Sequence, residues 1–322
     1  MKTVWMYAGQ GSQRAGMGKD IYEAFPEYRQ VIDSLALSFP LKEMMHEGEL
    51  SELSKTCYTQ PCMAAFGAGV TAVLRANGAA PDGALGLSLG EYGALYAAGV
   101  MDADTYVRLV EFRGQAMERA ALEQKRQGNL CSMSALLGLP EEEAVAVCRE
   151  SAGAGFVVPV NFNCPGQCVI CGEEAGVLEA EGRAKARGAK RCIRLNVGGP
   201  FHTKYMAAAG EELADYLEQV SFQVPKLPVA LNATGRLYCN REEDTGLSDL
   251  KGWLVKQIQS SVYFEQGIRC FLEQGADTFV EIGPGNALTG FVKKTAKAMG
   301  KPITAVTLDR AEDIQRFLTQ KG

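Results

Sequence analysis

The spacing of apolar positions changes character along this chain. VWMY (4–7) is a continuous apolar run that stops at Gly9-Gln10-Gly11-Ser12-Gln13, the pattern of a strand buried on both faces, a glycine-rich turn and the start of a helix. Helical spacing follows over 20–37 and 61–77. A short strand, ALGL (84–87), then leads into GLSLGEYGALYAAGV, a segment of small residues that reads as a closely packed helix. Another helix is expected over 103–122, and it carries Arg113.

The middle third has a different rhythm. Residues 131–139, 156–162, 167–172 and 191–197 read as strands, and 140–151 and 173–188 as helices, which gives the order β-α-β-β-α-β of a ferredoxin-like split unit. Beyond it come a helix at 203–219, a strand near 227–232, helices at 248–258 and 262–274, the strand TFVEIG (278–283), Pro284-Gly285 and a last long helix. The central pattern is complete in itself and α/β alternation flanks it on both sides. The expected fold class is therefore α/β, with a small ferredoxin-like domain (128–197) inserted between the two parts, 1–127 and 198–322, of a large domain.

Composition narrows the function classes. The 322 residues are 47% hydrophobic and 22% charged, with a formal charge of −5, so nothing global draws the chain to nucleic acid or to an anionic membrane. The N-terminus lacks the apolar core of a signal peptide and no apolar run approaches the ~20 residues that span a bilayer. A cytoplasmic protein with reduced thiols is expected. Among ten cysteines, Cys164, Cys168 and Cys171 have the C-x3-C-x2-C spacing of some iron–sulfur sites. On a strand, however, the odd offset between Cys168 and Cys171 sends their side chains to opposite faces. Small core residues are the expectation, and no metal.

The chemistry starts at Gly86-Leu87-Ser88-Leu89-Gly90, a G-x-S-x-G pentapeptide after a strand and before a helix. That is the setting of a nucleophile elbow, although Ser88 as a simple helix cap is the bland alternative. A serine alcohol needs a base during attack. There are two histidines: His46 lies in the charged stretch KEMMHEGEL, where a solvated surface residue is expected, and His202 follows the turn Gly198-Gly199-Pro200-Phe201. His202 is the candidate base. Donors for a tetrahedral oxyanion are expected from the N–H of Leu89, at the helix start, and from the turn at Gln10. That turn is not a dinucleotide fingerprint, because Arg14 stands where its third glycine would be. For Arg113 the bland reading is a helix-surface ion pair with Glu111 or Glu118.

Several motifs in register, GQGSQ (9–13), GLSLGEY (86–92), FRGQAM (112–117), NFNCPGQCVICG (161–172), GGPFH (198–202), LVKQ (254–257) and EIGPGNALTG (281–290), resemble the malonyl-CoA:acyl carrier protein transacylases, the acyltransferase family of fatty acid and polyketide synthesis. The resemblance covers essentially the whole chain. It implies a hydrolase-like α/β large domain with a ferredoxin-like insertion, a ping-pong transfer of malonyl from malonyl-CoA to acyl carrier protein, and no cofactor, since the coenzyme A thioester is a substrate. It further implies Ser88 as the acylated nucleophile, His202 as base, Gln10 and Leu89 as the oxyanion hole, and Arg113 as the grip on the malonate carboxylate. Gln257 would orient the histidine through its backbone carbonyl, with Asn161 and Asn163 near the acyl group and Phe201 crowding an α-methyl branch. Leu87, Ala8, Ser261 and Phe264 depart from residues frequent in the family. A monomer is expected. Lys190 and Arg191, in the basic stretch EGRAKARGAKRCIR, are candidates for steering the acidic carrier protein. An editing acyl hydrolase, a trans-acting polyketide acyltransferase and a silent carrier-protein scaffold remain as alternatives. The first of these has no need of Arg113.

Overall fold

The computed structural model describes residues 2–195, 199–239 and 247–320. Its strands, among the described residues, are β1 (Thr3–Tyr7), β2 (Gly83–Gly86), β3 (Cys131–Leu137), β4 (Val157–Cys164), β5 (Gln167–Glu173), β6 (Arg191–Arg194), β7 (Val229–Ala230), β8 (Leu237–Tyr238), β9 (Thr278–Ile282) and β10 (Thr304–Leu308). They form two sheets. The larger has the order β10-β9-β1-β2-β7-β8 and is parallel except for β8. Every residue of β1 is buried, because it runs through the middle of a sheet covered on both faces, which is why its sequence is apolar without alternation.

The smaller sheet has the order β4-β5-β3-β6 and is antiparallel throughout, the strand arrangement of a ferredoxin-like unit. One face packs on the helices Glu141–Ser151 and Glu174–Ala186 through Leu136, Val147, Phe162, Cys168, Ile170 and Val177. The other face delivers Met133, Ala135, Val169 and Cys171 to the core shared with the large domain. Cys168 and Cys171 thus enter different cores, as the period of 2 requires. The expected end of the last small-domain strand and the domain boundary at 197/198 fall on residues 196–198, outside the described residues.

The domains are stitched together close to the site. After the helix Leu247–Gln257 the chain runs beside β4: Ser261 Oγ donates to Pro159 O at 2.8 Å, Val262 N–H to Val160 O at 2.8 Å, and Phe162 N–H to Val262 O at 2.9 Å. On the other side Tyr205 of the large domain donates its hydroxyl to Glu173 of β5 at 2.6 Å.

Three expectations need correction. The helix at 20–37 is two, Lys19–Ala24 and Pro26–Ser34, because Phe25 is extended ahead of Pro26, as a residue before proline is biased to be. The helix expected at 61–77 begins at Thr56 and carries Pro61 inside it. The last long helix ends at Ala298, and Thr304–Leu308 forms an edge strand before a final helix, Ala311–Thr319. Gly300, with φ +64°, and Pro302 break the helix there. No helix of the described residues is long and apolar enough to cross a membrane.

Candidate active site

Parallel pairing of β1 with β2, Tyr7 opposite Gly86, sets the C-terminal ends of both strands side by side, and the turns that follow them meet there. After β2 the chain reverses sharply into the helix Gly90–Ala97, with Ser88 at φ +55°, a conformation costly for a residue with a Cβ. Glycine is required on both sides. A Cβ on Gly86 would lie 1.9 Å from the carbonyl carbon of Gly90, and one on Gly90 would lie 2.1 Å from Tyr7 O. The resulting elbow holds Ser88 Oγ out toward the cleft. It does not cap the helix, whose N-cap is Leu89.

His202 also has positive φ, +62°, and is 5% exposed. Its Nε2 lies 2.8 Å from Ser88 Oγ and its Nδ1 2.8 Å from the backbone carbonyl of Gln257. A carbonyl oxygen only accepts, so Nδ1 carries the proton and Nε2 is left to accept from the serine. Burial, then the nearby Arg113 guanidinium, lower the histidine to about 4. It is therefore a neutral imidazole, the form a base requires, throughout the neutral range.

Arg113 projects from the helix Ala103–Arg126 and is 1% exposed. Its two terminal nitrogens donate to Gln60 Oε1 at 2.7 Å, to Gln257 Oε1 at 2.9 Å and to Ser88 Oγ at 3.1 Å, and its guanidinium stands 5.4 Å from the centre of the Tyr92 ring. Among the described residues no carboxylate forms an ion pair with it. The surface ion pair with Glu111 is excluded: that carboxylate accepts from Ser38 N–H at 2.8 Å and from Ser38 Oγ at 2.6 Å. A cation held only by neutral oxygens is poised for an anionic guest.

A cleft of about 500 Å³ between the domains is lined by Gln10, Leu87, Ser88, Leu89, Arg113, Asn161, Asn163, Phe201 and His202. Gln257 is fully buried beneath it. The backbone N–H groups of Gln10 and Leu89 have no acceptor among the described residues, whereas Gly90, Glu91 and Tyr92 already donate within the elbow. Asn163 Oδ1 is likewise buried without a partner. Lys190 and Arg191 lie elsewhere, exposed before and on the edge strand β6.

Three residues of this constellation escaped the sequence reading. Gln60 binds Arg113. Asn232 accepts the Ser88 N–H through Oδ1 at 2.7 Å and donates from Nδ2 to Gly86 O at 2.8 Å. Glu91, 1% exposed, accepts from Gln257 Nε2 at 2.8 Å and from the Asn232 N–H at 3.1 Å. A glutamate inside a helix of glycines, alanines and tyrosines was the available signal, since an acid amid such small apolar neighbours has no solvent face. His46 departs from expectation in the other direction. It is partly buried, edge-on to Tyr22 with ring centres 5.4 Å apart, and burial lowers its proton affinity.

Comparison with known proteins identifies the family. The acyl transferase domain family matches residues 4–321. A malonyl CoA-acyl carrier protein transacylase of Bacillus subtilis (strain 168) is 36% identical over 301 residues, 92% of each chain, and one of Staphylococcus aureus (strain MRSA252) is 33% identical over 317 residues, 98% of this chain and 97% of that one. The crystal structure of MCAT from Streptococcus pneumoniae superimposes with a TM-score of 0.89 at 35% identity, covering 99% of this chain and 100% of that one. A malonyl-transacylase solved in complex with its type II PKS acyl-carrier protein gives a TM-score of 0.90 at 33% identity, with the same coverage. With the elbow serine, its histidine and the buried arginine in one cleft of this α/β fold, the chain belongs to the acyl transferase domain family and, within it, to the malonyl CoA-acyl carrier protein transacylases.

Proposed function

We propose that Ser88 carries a malonyl group from coenzyme A to the phosphopantetheine thiol of acyl carrier protein. His202 Nε2 takes the hydroxyl proton as Oγ attacks the thioester carbon of malonyl-CoA. The carbonyl π electrons move to oxygen, where the N–H groups of Gln10 and Leu89 are placed to receive the charge. Collapse breaks the C–S bond, and the leaving sulfur takes the proton from His202. The carrier-protein thiol then attacks the seryl ester through the same steps in reverse, so that atoms and protons balance over the cycle without a cofactor.

The observation that carries this reading is Arg113. A fully buried guanidinium, 3.1 Å from the nucleophile, whose hydrogen bonds go only to uncharged oxygens and whose Nε has no partner, selects an acyl group that ends in a carboxylate, and a malonyl unit is short enough to reach it from an ester at Ser88. Phe201, 6% exposed beside His202, narrows the space for an α-methyl branch. Asn161 and Asn163 on β4 supply polar contacts to the acyl group or the pantetheine arm. On this reading the chain meets both substrates in the cytoplasm, as a monomer.

Intact-mass measurement after incubation with malonyl-CoA tests the reading. The wild-type chain should gain one malonyl unit and lose it to acyl carrier protein, and Ser88→Ala should gain none. An ester that accumulates in the alanine variant, or one that passes to water rather than to the carrier thiol, would refute it.

A further inference from the structure

Ser88 is held in its strained conformation by hydrogen bonds at both ends of its backbone unit. Its N–H donates to Asn232 Oδ1 at 2.7 Å, and its carbonyl accepts from Gln257 Nε2 at 2.7 Å. Both residues are also tied to a single carboxylate oxygen, Glu91 Oε2, which accepts from Gln257 Nε2 and from the Asn232 backbone N–H. Gln257 is the residue whose backbone carbonyl fixes the tautomer of His202 and whose Oε1 accepts from Arg113. With both acceptors on its Nε2 side, its amide has one permissible orientation, nitrogen toward Glu91 and oxygen toward the arginine.

We propose that Glu91 is the positioning residue of this site, its carboxylate fixing through Gln257 and Asn232 the aim of Ser88, His202 and Arg113 together. It touches no reacting atom. It lies behind the elbow on the helix Gly90–Ala97, and it acts by denying Gln257 the flipped orientation in which an NH2 group would face Arg113. When ionised it also acts on the buried arginine from a distance, without an ion pair between them. The titratable and charged groups that face it are Arg113, from the helix Ala103–Arg126, and Tyr92 on its own helix. His202 is reached through the Gln257 backbone. Burial raises the Glu91 carboxyl to about 7, against the opposing pull of Gln257, Asn232 and Arg113, so the acceptor strength of Oε2 changes near neutral pH.

This inference rests on the seryl-transfer reading, and the test separates the two. Ser88 acylation by malonyl-CoA is followed in single turnovers from pH 5.5 to 8.5 for wild type, Glu91→Gln and Glu91→Ala, with thermal melts to verify folding. If the wild type forms no ester, the proposed function fails and not this inference. For Glu91→Ala the expected loss in the maximal acylation rate is about 10²-fold, the scale of a small misalignment of reacting groups, with half-saturation by malonyl-CoA changed less than about 3-fold. Glu91→Gln keeps one acceptor oxygen and should restore most of that loss, while erasing the limb near pH 7 from the rate profile. A folded Glu91→Gln protein that keeps the wild-type rate and the limb overturns the proposal, as does a loss confined to half-saturation. If the alanine variant does not fold, the glutamine variant decides alone.

Discussion

Arg113, His202 and Glu91 are three ionisable side chains within one buried shell, and burial shifts each of them. Replacing Arg113 by alanine removes a charge-assisted grip and should cost about 2–5 kcal/mol of malonyl discrimination, read as the ratio of kcat/KM for malonyl-CoA to that for acetyl-CoA. An unchanged ratio would mean that the guanidinium never meets the substrate. His202→Ala should lower kcat at least ~10²-fold, the usual contribution of a placed general base, in a steady-state assay. The two titrating groups pull stability in opposite directions. His202 folds with its proton affinity lowered from 6.5 to about 4, so the unfolded chain binds more protons between those values and stability is lost as pH falls through them. Glu91 is raised from 4.5 to about 7, so the folded chain binds more protons there and stability is lost as pH rises through that window. The Glu91 shift corresponds to at most about 3 kcal/mol. Glu91→Gln cannot titrate, and its melting temperature relative to wild type should therefore climb between pH 5 and pH 7.5. A flat difference would show that Glu91 is ionised at an ordinary value.

At the level of elements, the site depends on how closely the helix Gly90–Ala97 approaches β1. Gly90 has no room for a methyl group against Tyr7 O, and backbone on both sides leaves little to relax. Gly90→Ala should destabilise the fold by roughly 3 kcal/mol, the upper part of the range for overpacking, and disturb the elbow with it. Urea midpoints measure the first effect and Ser88 acylation the second. A variant with the wild-type midpoint would show that the helix can slide. The turn carrying His202 obeys a similar logic. Its positive φ places the ring over Ser88, while Ser261 and Val262 clamp the segment after Gln257 onto β4. Ser261, which the resemblance marks as differing from the residue frequent in the family, still keeps that clamp by donating to Pro159 O, and Phe264 is buried in the core.

For the molecule as a whole, a formal charge of −5 means that any attraction of an acidic carrier protein has to be local. The basic stretch at 183–194 has six cations, and the structure divides them. Arg183, Arg187 and Arg194 are committed to Glu150, Glu179, Glu143, Glu174 and Glu181. Lys185, Lys190 and Arg191 form no ion pair among the described residues and are exposed; of these, Lys190 and Arg191 stand together at the edge strand, with their charge available for steering. Reversing both to glutamate should raise KM for acyl carrier protein and flatten its dependence on salt, with Ser88 acylation by malonyl-CoA nearly unchanged. Equal slowing of both half-reactions would assign the patch to coenzyme A or to folding, and no change would reduce it to a solvated surface.

What the chain determined by itself is what depends on local spacing. The unbroken apolar run of β1, the β-α-β-β-α-β order of the insertion, the glycines around Ser88 and the turn before His202 are all properties of short segments, so the two-sheet α/β architecture and the serine–histidine pair were legible, with the family motifs adding Arg113 and Gln257. The edge strand Thr304–Leu308 was less so, because five residues of mixed exposure after a glycine give little periodicity. The roles of Gln60, Glu91 and Asn232 were settled only in three dimensions. Each is a polar residue without a motif of its own, and what each does depends on which partner stands opposite: Gln257 reaches Glu91 across 166 positions of the chain and Asn232 reaches Ser88 across 144. A buried polar group must find its partner wherever the fold puts one, and it is the parallel pairing of β1, β2 and β7, joined to the clamp on β4, that carried these distant residues to the same few ångströms.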